Sequence, residues 1–420
     1  MDQLRTSRAD TDDTAVTGAT TEFEADVLDL LVRSLRRAAG AELPDVGTDT
    51  LLEALVSGDT GAGAAIAPGM RRAGALGGRI KAMAGRGWVS DDEVDAVPGD
   101  ASLDAAAGDC AGTHQEPDEF EVDAVWREAR WRCESGARGP DTEKGRALPG
   151  TTGAVRACLL RALRAARAEG TVSVRCRHVA RALLDVPGTR AQEALLLERL
   201  DRAAASAALD RLDASAPAEE EASYSVGVTL LRRTGTLGKS GNFLSRRLAS
   251  WAYGTALNGS PVLAAVSTEA MRQAVRGGRA AAEPVDLVLG MLSLDRALAV
   301  AGCALPADLA DANAASALLY RHGARQSSLV RAARAVPPAA VFGADTFRLS
   351  AAADRAMAVA RLTAAEHGSP TTGTNHLLAA LLDEAAVTDT DTGQDVARLL
   401  AAEGVDVAAL RAELSRRSGA

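Results

Sequence analysis

Apolar residues recur every three or four positions along most of the chain, with polar or charged residues between them. In the first such stretch one helical face would carry Val27, Leu30, Leu31, Ser34 and Ala38. A period near 3.6 residues is typical of an amphipathic helix that packs on one side. Turns rich in Gly, Pro and Asp divide these stretches. The pattern therefore predicts an all-α protein.

One helical phrase occurs four times, each time after an Ala-rich amphipathic stretch and a turn. The copies span residues 50–56, 178–184, 286–292 and 376–382, at spacings of 128, 108 and 90 residues. After each of the last two copies a further helix is predicted to stop at a glycine, Gly323 or Gly404. A helical unit of this size cannot bury its apolar face alone, so we expect the copies to pack on each other.

The repeats predict two domains in tandem. The predicted segments are a disordered tail (1–21), a first domain (23–213) with repeats 23–85 and 151–212, a linker (214–249), and a second domain (250–416) with repeats 260–336 and 348–414. The insertion 86–150 is expected to be partly disordered, because residues 86–119 carry few large apolar side chains. Thr48 is expected to be the N-cap of the second helix, with Asp49 in its first turn.

Composition supports helices with an aliphatic core. Apolar residues make up 47% of the chain but aromatic residues only 3%. A β sandwich would require more aromatic and β-branched side chains, so close-packed helices fit better.

The net charge and the cysteines indicate which partners and which cellular compartment to expect. The net charge of -9 predicts a poor non-specific binder of nucleic acid. The five cysteines are irregularly spaced, as expected for reduced thiols in a cytosol. We find no secretory signal and no run near the ~20 apolar residues that a membrane helix needs. A cytoplasmic protein without a membrane partner is expected, and the oligomeric state stays open.

The fourth repeat carries a recognisable set of motifs. They are Arg348-Leu349-Ser350, Thr374-Asn375-His376-Leu377-Leu378, Leu399-Leu400 and Gly404-Val405-Asp406. This pattern resembles the N-terminal domain of Clp/Hsp100 unfoldases of the ClpA and ClpC type. The resemblance implies that each domain is a pseudo-twofold pair of four-helix repeats. In that family the module lies ahead of ATPase rings and captures substrates and adaptor proteins.

The chain lacks the motor that accompanies this module in the family. The nearest match to a phosphate-binding loop ends in Gly238-Lys239-Ser240, but Arg233 occupies the position of the first glycine. We expect neither a nucleotide nor another cofactor. Cys176 and His178 could supply two metal ligands, but a structural zinc needs four, so no metal is expected. His178 and His376 recur at one helix position, which favours a shared packing or capping role.

The resemblance also implies a ligand pocket, built in the family from a Thr and a Glu of each repeat to bind phosphorylated arginine. The Thr positions here hold Glu24, Thr152, Ser260 and Ser350, and the Glu positions hold Asp49, Arg177, Val285 and Asn375. The candidate pocket residues are therefore Asp49, Thr152, Arg177, Ser260, Ser350 and Asn375. Because only Asp49 keeps an acid, we do not expect phosphoarginine binding. Arg177 and Asp49 are hypothesised to pair with each other; the alternative is that both point into solvent.

Three functions follow from these observations. The leading expectation is a non-catalytic protein- or peptide-binding module that acts as an adaptor, regulator or substrate-recognition protein of a Clp system. Its partner would be a Clp unfoldase, an adaptor or a client. The alternative is a decoy that sequesters cyclic-peptide antibiotics directed at the ClpC N-domain. The third is an enzyme with a site hidden in 86–150 or 224–245, for which the sequence offers little support.

Overall fold

The computed structural model describes residues 19–90, 92, 117–136, 148–214, 224–237, 260–334, 348–383 and 396–418. These residues are mostly helical, which confirms the all-α prediction. The chain separates into two compact units, Thr21–Ser223 and Tyr224–Ala420, and residues 19–20 belong with the second. The boundary lies inside the segment predicted as a linker. No described helix is long and apolar enough to cross a membrane.

The first unit contains two runs of four helices with one helix between them. The helices are α1 (Ala25–Gly40), α2 (Thr48–Val56), α3 (Gly61–Ile66), α4 (Met70–Arg86), α5 (Pro117–Gly136), α6 (Gly153–Ala168), α7 (Cys176–Asp185), α8 (Arg190–Leu197) and α9 (Arg202–Ala214). The predicted face of α1 is buried throughout. Its apolar side chains join those of α2, α6 and α7 in one aliphatic core, as the low aromatic content predicts.

Two short parallel pairings tie the two halves of the first unit together. Strands β1 (Glu22–Phe23) and β4 (Ser173–Val174) pair, and so do β2 (Asp45–Val46) and β3 (Gly150–Thr151). The strand before α1 pairs with the strand after α6, and the strand before α6 pairs with the strand after α1. Both pairings, and their hydrogen bonds, are related by one offset of 128 residues, the spacing of the first two sequence copies.

Helix α5 lies within the predicted insertion and packs on the first unit. Its buried side chains Val122, Val125, Ala129 and Cys133 join the core of that unit, while Trp126 packs against it partly exposed. Residues 117–136 of the predicted insertion therefore form a docked helix. The other parts of 86–150 that were predicted to be disordered lie largely outside the described residues.

Among the described residues of the second unit, one helix precedes two runs of helices. The helices are α10 (Val226–Arg233), α11 (Pro261–Arg276), α12 (Pro284–Val300), α13 (Ala307–Ala310), α14 (Ala315–Arg321), α15 (Gln326–Ala332), α16 (Ala351–Glu366), α17 (Thr374–Leu382), α18 (Val396–Ala402) and α19 (Val407–Ser418), with a 3-10 turn at Asp311–Asn313. Helix α10 precedes the two runs, which begin at α11 and α16. Leu377 and Leu400, at the centre of the fourth repeat, are fully enclosed.

The prediction of a linker over 214–249 is wrong at α10. Val228 and Leu231 of this helix are buried in the core of the second unit. Close packing is possible because Gly227 has no side chain: a Cβ there would lie 2.8 Å from Glu269 Oε1, which accepts the Gly227 amide hydrogen. Two turns of apolar residues are too short to show a period, so this segment carries no helical signal in the sequence.

Glycine turns follow α14 and α18 in the second unit, as predicted. Gly323 and Gly404 have φ angles of 96° and 85°, in the left-handed region that favours glycine. The amide of Asp406 donates to the carbonyl of His322, so the two turns lie against each other. The turns thus join the two runs of helices as well as ending them.

Candidate functional site

The N-terminus of α2 lies against a carboxylate from elsewhere in the chain. The Thr48 amide donates to Asp92 Oδ2 at 2.6 Å, and the Thr48 hydroxyl donates to Asp92 Oδ1 at 2.8 Å. Gly47, and not Thr48, occupies the N-cap position, so the predicted capping role of Thr48 is wrong. Its hydroxyl accepts instead from the Ala191 amide in the first turn of α8, which makes it a cap for a different helix.

Asp92 joins the N-termini of three helices. Besides its bonds to Thr48, its Oδ1 accepts from the Arg190 amide at 2.8 Å, and its carbonyl accepts from the Ala154 amide in the first turn of α6. The residue is fully buried. Helix N-termini carry unpaired amide hydrogens and a partial positive charge, so together they stabilise a buried carboxylate.

The residues that lead to Asp92 are held by α8. The amides of Val89 and Ser90 donate to the two oxygens of Glu193, and Arg190 Nε donates to the Ser90 carbonyl. The prediction of disorder over 86–119 is therefore wrong for 88–90 and for Asp92. Polar contacts to helix ends and the partly buried Trp88 hold these residues, and neither leaves a periodic apolar pattern in the sequence.

Asp49 lies next to Asp92 in this site. It is 3% exposed, and its Oδ1 has no hydrogen-bond partner among the described residues. Burial and the charge of Asp92 raise the pKa of Asp49 to about 6, although Arg190 opposes the shift. Two carboxylates therefore share a site in which only that of Asp92 is fully hydrogen-bonded.

Replacing Asp49 with Asn should stabilise the first unit at neutral pH and leave it almost unchanged near pH 4. A raised carboxyl pKa contributes stability that is complete below the unfolded value of 3.8 and is lost as pH rises through about 6. Removing the charge should stabilise the first unit by about 3 kcal/mol at pH 7.5. Urea denaturation of the full chain at pH 4 and pH 7.5 measures the difference. Asp59→Asn, an exposed charge change in the same unit, is the control; equal stabilisation by Asp49→Asn at both pH values would contradict the expectation.

At the position of α7 that corresponds to Thr48, the carboxylate comes from a neighbouring helix of the core. The amide of Cys176 donates to Asp26 Oδ2 at 3.0 Å, and Asp26 lies in the first turn of α1. At the 128-residue offset, Thr48 corresponds to Cys176 and Asp26 corresponds to Ala154. Because Ala154 has no carboxylate, Asp92 supplies the acceptor that α6 lacks.

The hypothesised pair of Arg177 and Asp49 is not formed. Arg177, at the N-terminus of α7, pairs instead with Glu169: Arg177 Nη2 lies 2.5 Å from Glu169 Oε2. The cationic neighbour of Asp49 is Arg190. The sequence predicts correctly that Arg177 lies at the start of a helix, but it does not show that Glu169 is close enough to pair with it. On the same side of the unit Glu24 accepts from the Ser173 hydroxyl.

The second unit has a related arrangement with an amide in place of the carboxylate. The Thr374 amide donates to Asn313 Oδ1 at 3.0 Å, and the Asn375 side-chain amide donates to the Asp311 carbonyl at 2.7 Å. Asn375 Oδ1, like Asp49 Oδ1, has no partner among the described residues. At the start of α12 the corresponding residue is Pro284, which has no amide hydrogen to satisfy.

The three candidate hydroxyl residues are N-caps. Thr152, Ser260 and Ser350 each accept the amide hydrogen three residues later. The Ser260 hydroxyl also donates to the Thr372 carbonyl, which brings Ser260 close to the start of α17 and Asn375. Within the first unit Thr152 and Asp49 lie at helix starts that Asp92 joins, and within the second unit Ser260 lies near the start of α17 and Asn375.

The expected capping role of the repeated histidines is confirmed. Nδ1 of His178 accepts from the Arg175 amide, and Nδ1 of His376 accepts from the Gly373 amide. An accepting Nδ1 requires the neutral ring, and burial lowers the pKa of His376.

Cys133, Cys158, Cys176 and Cys303 are free thiols, and burial raises the pKa of Cys158 to about 12. Within the described residues no cluster of His, Cys, Asp and Glu is arranged to hold a metal.

Comparison of the chain with protein-family models, with curated proteins and with solved structures finds no match. Inferences about function therefore depend on the sequence pattern and the geometry alone.

Proposed function

We propose that this chain is a non-catalytic cytoplasmic protein that binds peptide segments of other proteins. Its two units would be tandem domains of the kind found at the N-terminus of Clp/Hsp100 unfoldases. Its partner would be a Clp unfoldase, an adaptor or a client protein.

The repeated helix plan supports the proposed relationship. The first helix of each of the four runs is 16 residues long: Ala25–Gly40, Gly153–Ala168, Pro261–Arg276 and Ala351–Glu366. In the second unit the Ser350 amide donates to the Ala282 carbonyl, and the Ser260 hydroxyl donates to the Thr372 carbonyl, at an offset of 90 residues. These contacts are what a pair of four-helix repeats, packed about a pseudo-twofold axis, would form in each unit.

The observation that carries the proposed function is the way the first unit binds residues 88–90 and Asp92 of its own chain. Glu193 binds the peptide backbone, and the starts of α2, α6 and α8 bind one side chain and one carbonyl. Backbone contacts provide affinity for any extended peptide, and a side-chain contact provides selectivity. The hydroxyls of Thr48, Thr152, Ser260 and Ser350 all accept backbone amides at helix ends.

Binding of the purified full chain to a purified Clp unfoldase from the same cell, and to an unfolded client protein, tests the proposal by interferometry. We expect saturable binding to at least one of them and weaker binding by Ala154→Asp, which would place a carboxylate where Asp26 lies in the other half of the unit. Binding to neither would make the proposed function wrong. Hydrolysis of ATP by the purified chain would favour an enzyme, and tight calorimetric binding of cyclic peptides would favour the decoy.

A further inference from the structure

We propose that the N-termini of α2, α6 and α8 form a receptor for a carboxylate side chain on an extended peptide, and that Asp92 is its built-in occupant. An external acidic peptide would have to displace Asp92 to bind. The inference deepens the proposed function and depends on it only for the claim that such peptides belong to partner proteins.

The receptor is made of donors that converge from different helices. Asp92 receives the Thr48 amide, the Thr48 hydroxyl and the Arg190 amide on its two carboxylate oxygens, while Ala154 binds its carbonyl. A charged acceptor on several amides forms short, strong hydrogen bonds, and 2.6–2.8 Å is in that range. The set recognises both the side chain and the backbone of one acidic residue.

Asp49 independently indicates that this site suits an external ligand. Its buried Oδ1 faces Asp92 and Arg190 without a hydrogen-bond partner among the described residues: a Cβ added at Gly47 would lie 3.1 Å from Asp92 Oδ2, 3.2 Å from Arg190 Nη1 and even closer to Asp49 Oδ1. With Asp92 in place, two carboxylates repel each other and one acceptor stays empty. A peptide that brings a carboxylate to Thr48 and an N–H or O–H group to Asp49 would satisfy both.

The equivalent helix ends show why only this receptor has an exchangeable occupant among the described residues. At α7 the acceptor is Asp26, in a core helix of the same unit, and at α17 it is Asn313, in a turn that also binds Asn375. At α2 the corresponding core position is Ala154, and the acceptor comes instead from outside the core helices, after residues whose backbone binds Glu193 and Arg190 and whose Trp88 packs partly buried on the core. Among the described residues of the first unit, this is the position that a peptide in trans can take.

Fluorescence anisotropy with a labelled peptide of residues 86–96 tests the inference on the full chain. We expect Asp92→Ala to bind this peptide at least about tenfold tighter than the unmodified chain, because one charged hydrogen-bonded contact is worth that factor or more. The double variant Asp92→Ala/Ala154→Asp should not bind it, since the new carboxylate would fill the receptor from α6. A peptide with Asp92→Ala should not compete. Asp92→Asn is the second variant, for use if Asp92→Ala folds poorly. It keeps one acceptor oxygen for Thr48, so its gain in peptide affinity should be smaller than that of Asp92→Ala.

The outcomes separate this inference from the proposed function. Equal peptide binding by the unmodified chain and Asp92→Ala, or no binding by folded Asp92→Ala and Asp92→Asn, would overturn the inference. Either result leaves the partner-binding experiment with a Clp unfoldase or client unaffected. Conversely, tight peptide binding by Asp92→Ala, with no partner for the unmodified chain or for Asp92→Ala, would support the receptor and contradict the proposed function.

Discussion

Replacing Gly373 with alanine should destabilise the second unit by about 3 kcal/mol or more. Gly373 precedes α17, and a Cβ there would lie 2.6 Å from the carbonyl carbon of Ala312 and closer still to its oxygen. Backbone cannot rotate away as a side chain can, so residues 311–313 would have to move. That movement would break the bonds of Asn313 to Thr374 and of Asp311 to Asn375. Overpacking together with lost buried hydrogen bonds accounts for the size of the effect.

Gly47→Ala is the matched control because Gly47 holds the same position before α2. The atom nearest to a Cβ at Gly47 belongs to the side chain of Asp49, which can change rotamer. We therefore expect a loss of about 1 kcal/mol in the first unit. Thermal and urea unfolding of both variants, followed by circular dichroism, measures the difference. Similar losses would mean that the close backbone approach of Ala312 to Gly373 is relieved at little cost.

Truncating Leu377 to alanine should cost the second unit about 3 kcal/mol. Its side chain is fully buried at the centre of α17 and belongs to the core that α11, α12 and α16 share. Removal of a buried leucine loses the transfer free energy of its methyl groups and leaves a cavity in a close-packed interior.

Leu362→Ala is the control, since this side chain on α16 is 60% exposed. Its truncation should change the free energy of unfolding by less than about 0.5 kcal/mol. The experiment is urea denaturation of the full chain with each substitution. A small effect at Leu377 would show that the packing of the fourth repeat differs from the one described.

Periodicity predicts the all-α class and the buried face of α1, because burial of an apolar face leaves a direct trace in the sequence. Recurrence of positions between the repeats predicts the glycine ends at Gly323 and Gly404 and a packing or capping role for His178 and His376. Periodicity misses α10, which is only eight residues long. The proposed kinship with Clp N-domains explains the pattern but stays a proposal.

The candidate site was only partly predictable. Asp49 and Thr152 are candidates because the resemblance to Clp N-domains implies a pocket at these positions, and both lie at the helix ends that Asp92 joins. Asp92 and Arg190 were not found, since one lies in a segment without a pattern and the other follows an ordinary Thr cap. Contacts between residues 44 to 98 positions apart depend on the folded arrangement and leave no local signal.

Asp92 lies six residues beyond the end of α4, so the occupant of the receptor is tethered close to it. A short tether holds a binding group at an effective concentration on the order of millimolar. An external peptide has to match that value by concentration, by affinity or by several acidic residues acting together. The first unit would then bind isolated acidic side chains of abundant folded proteins too weakly to displace Asp92, but it would bind peptides with several closely spaced acidic residues. Competition with Asp92 would thus set the minimum affinity of a partner, and no domain would have to move.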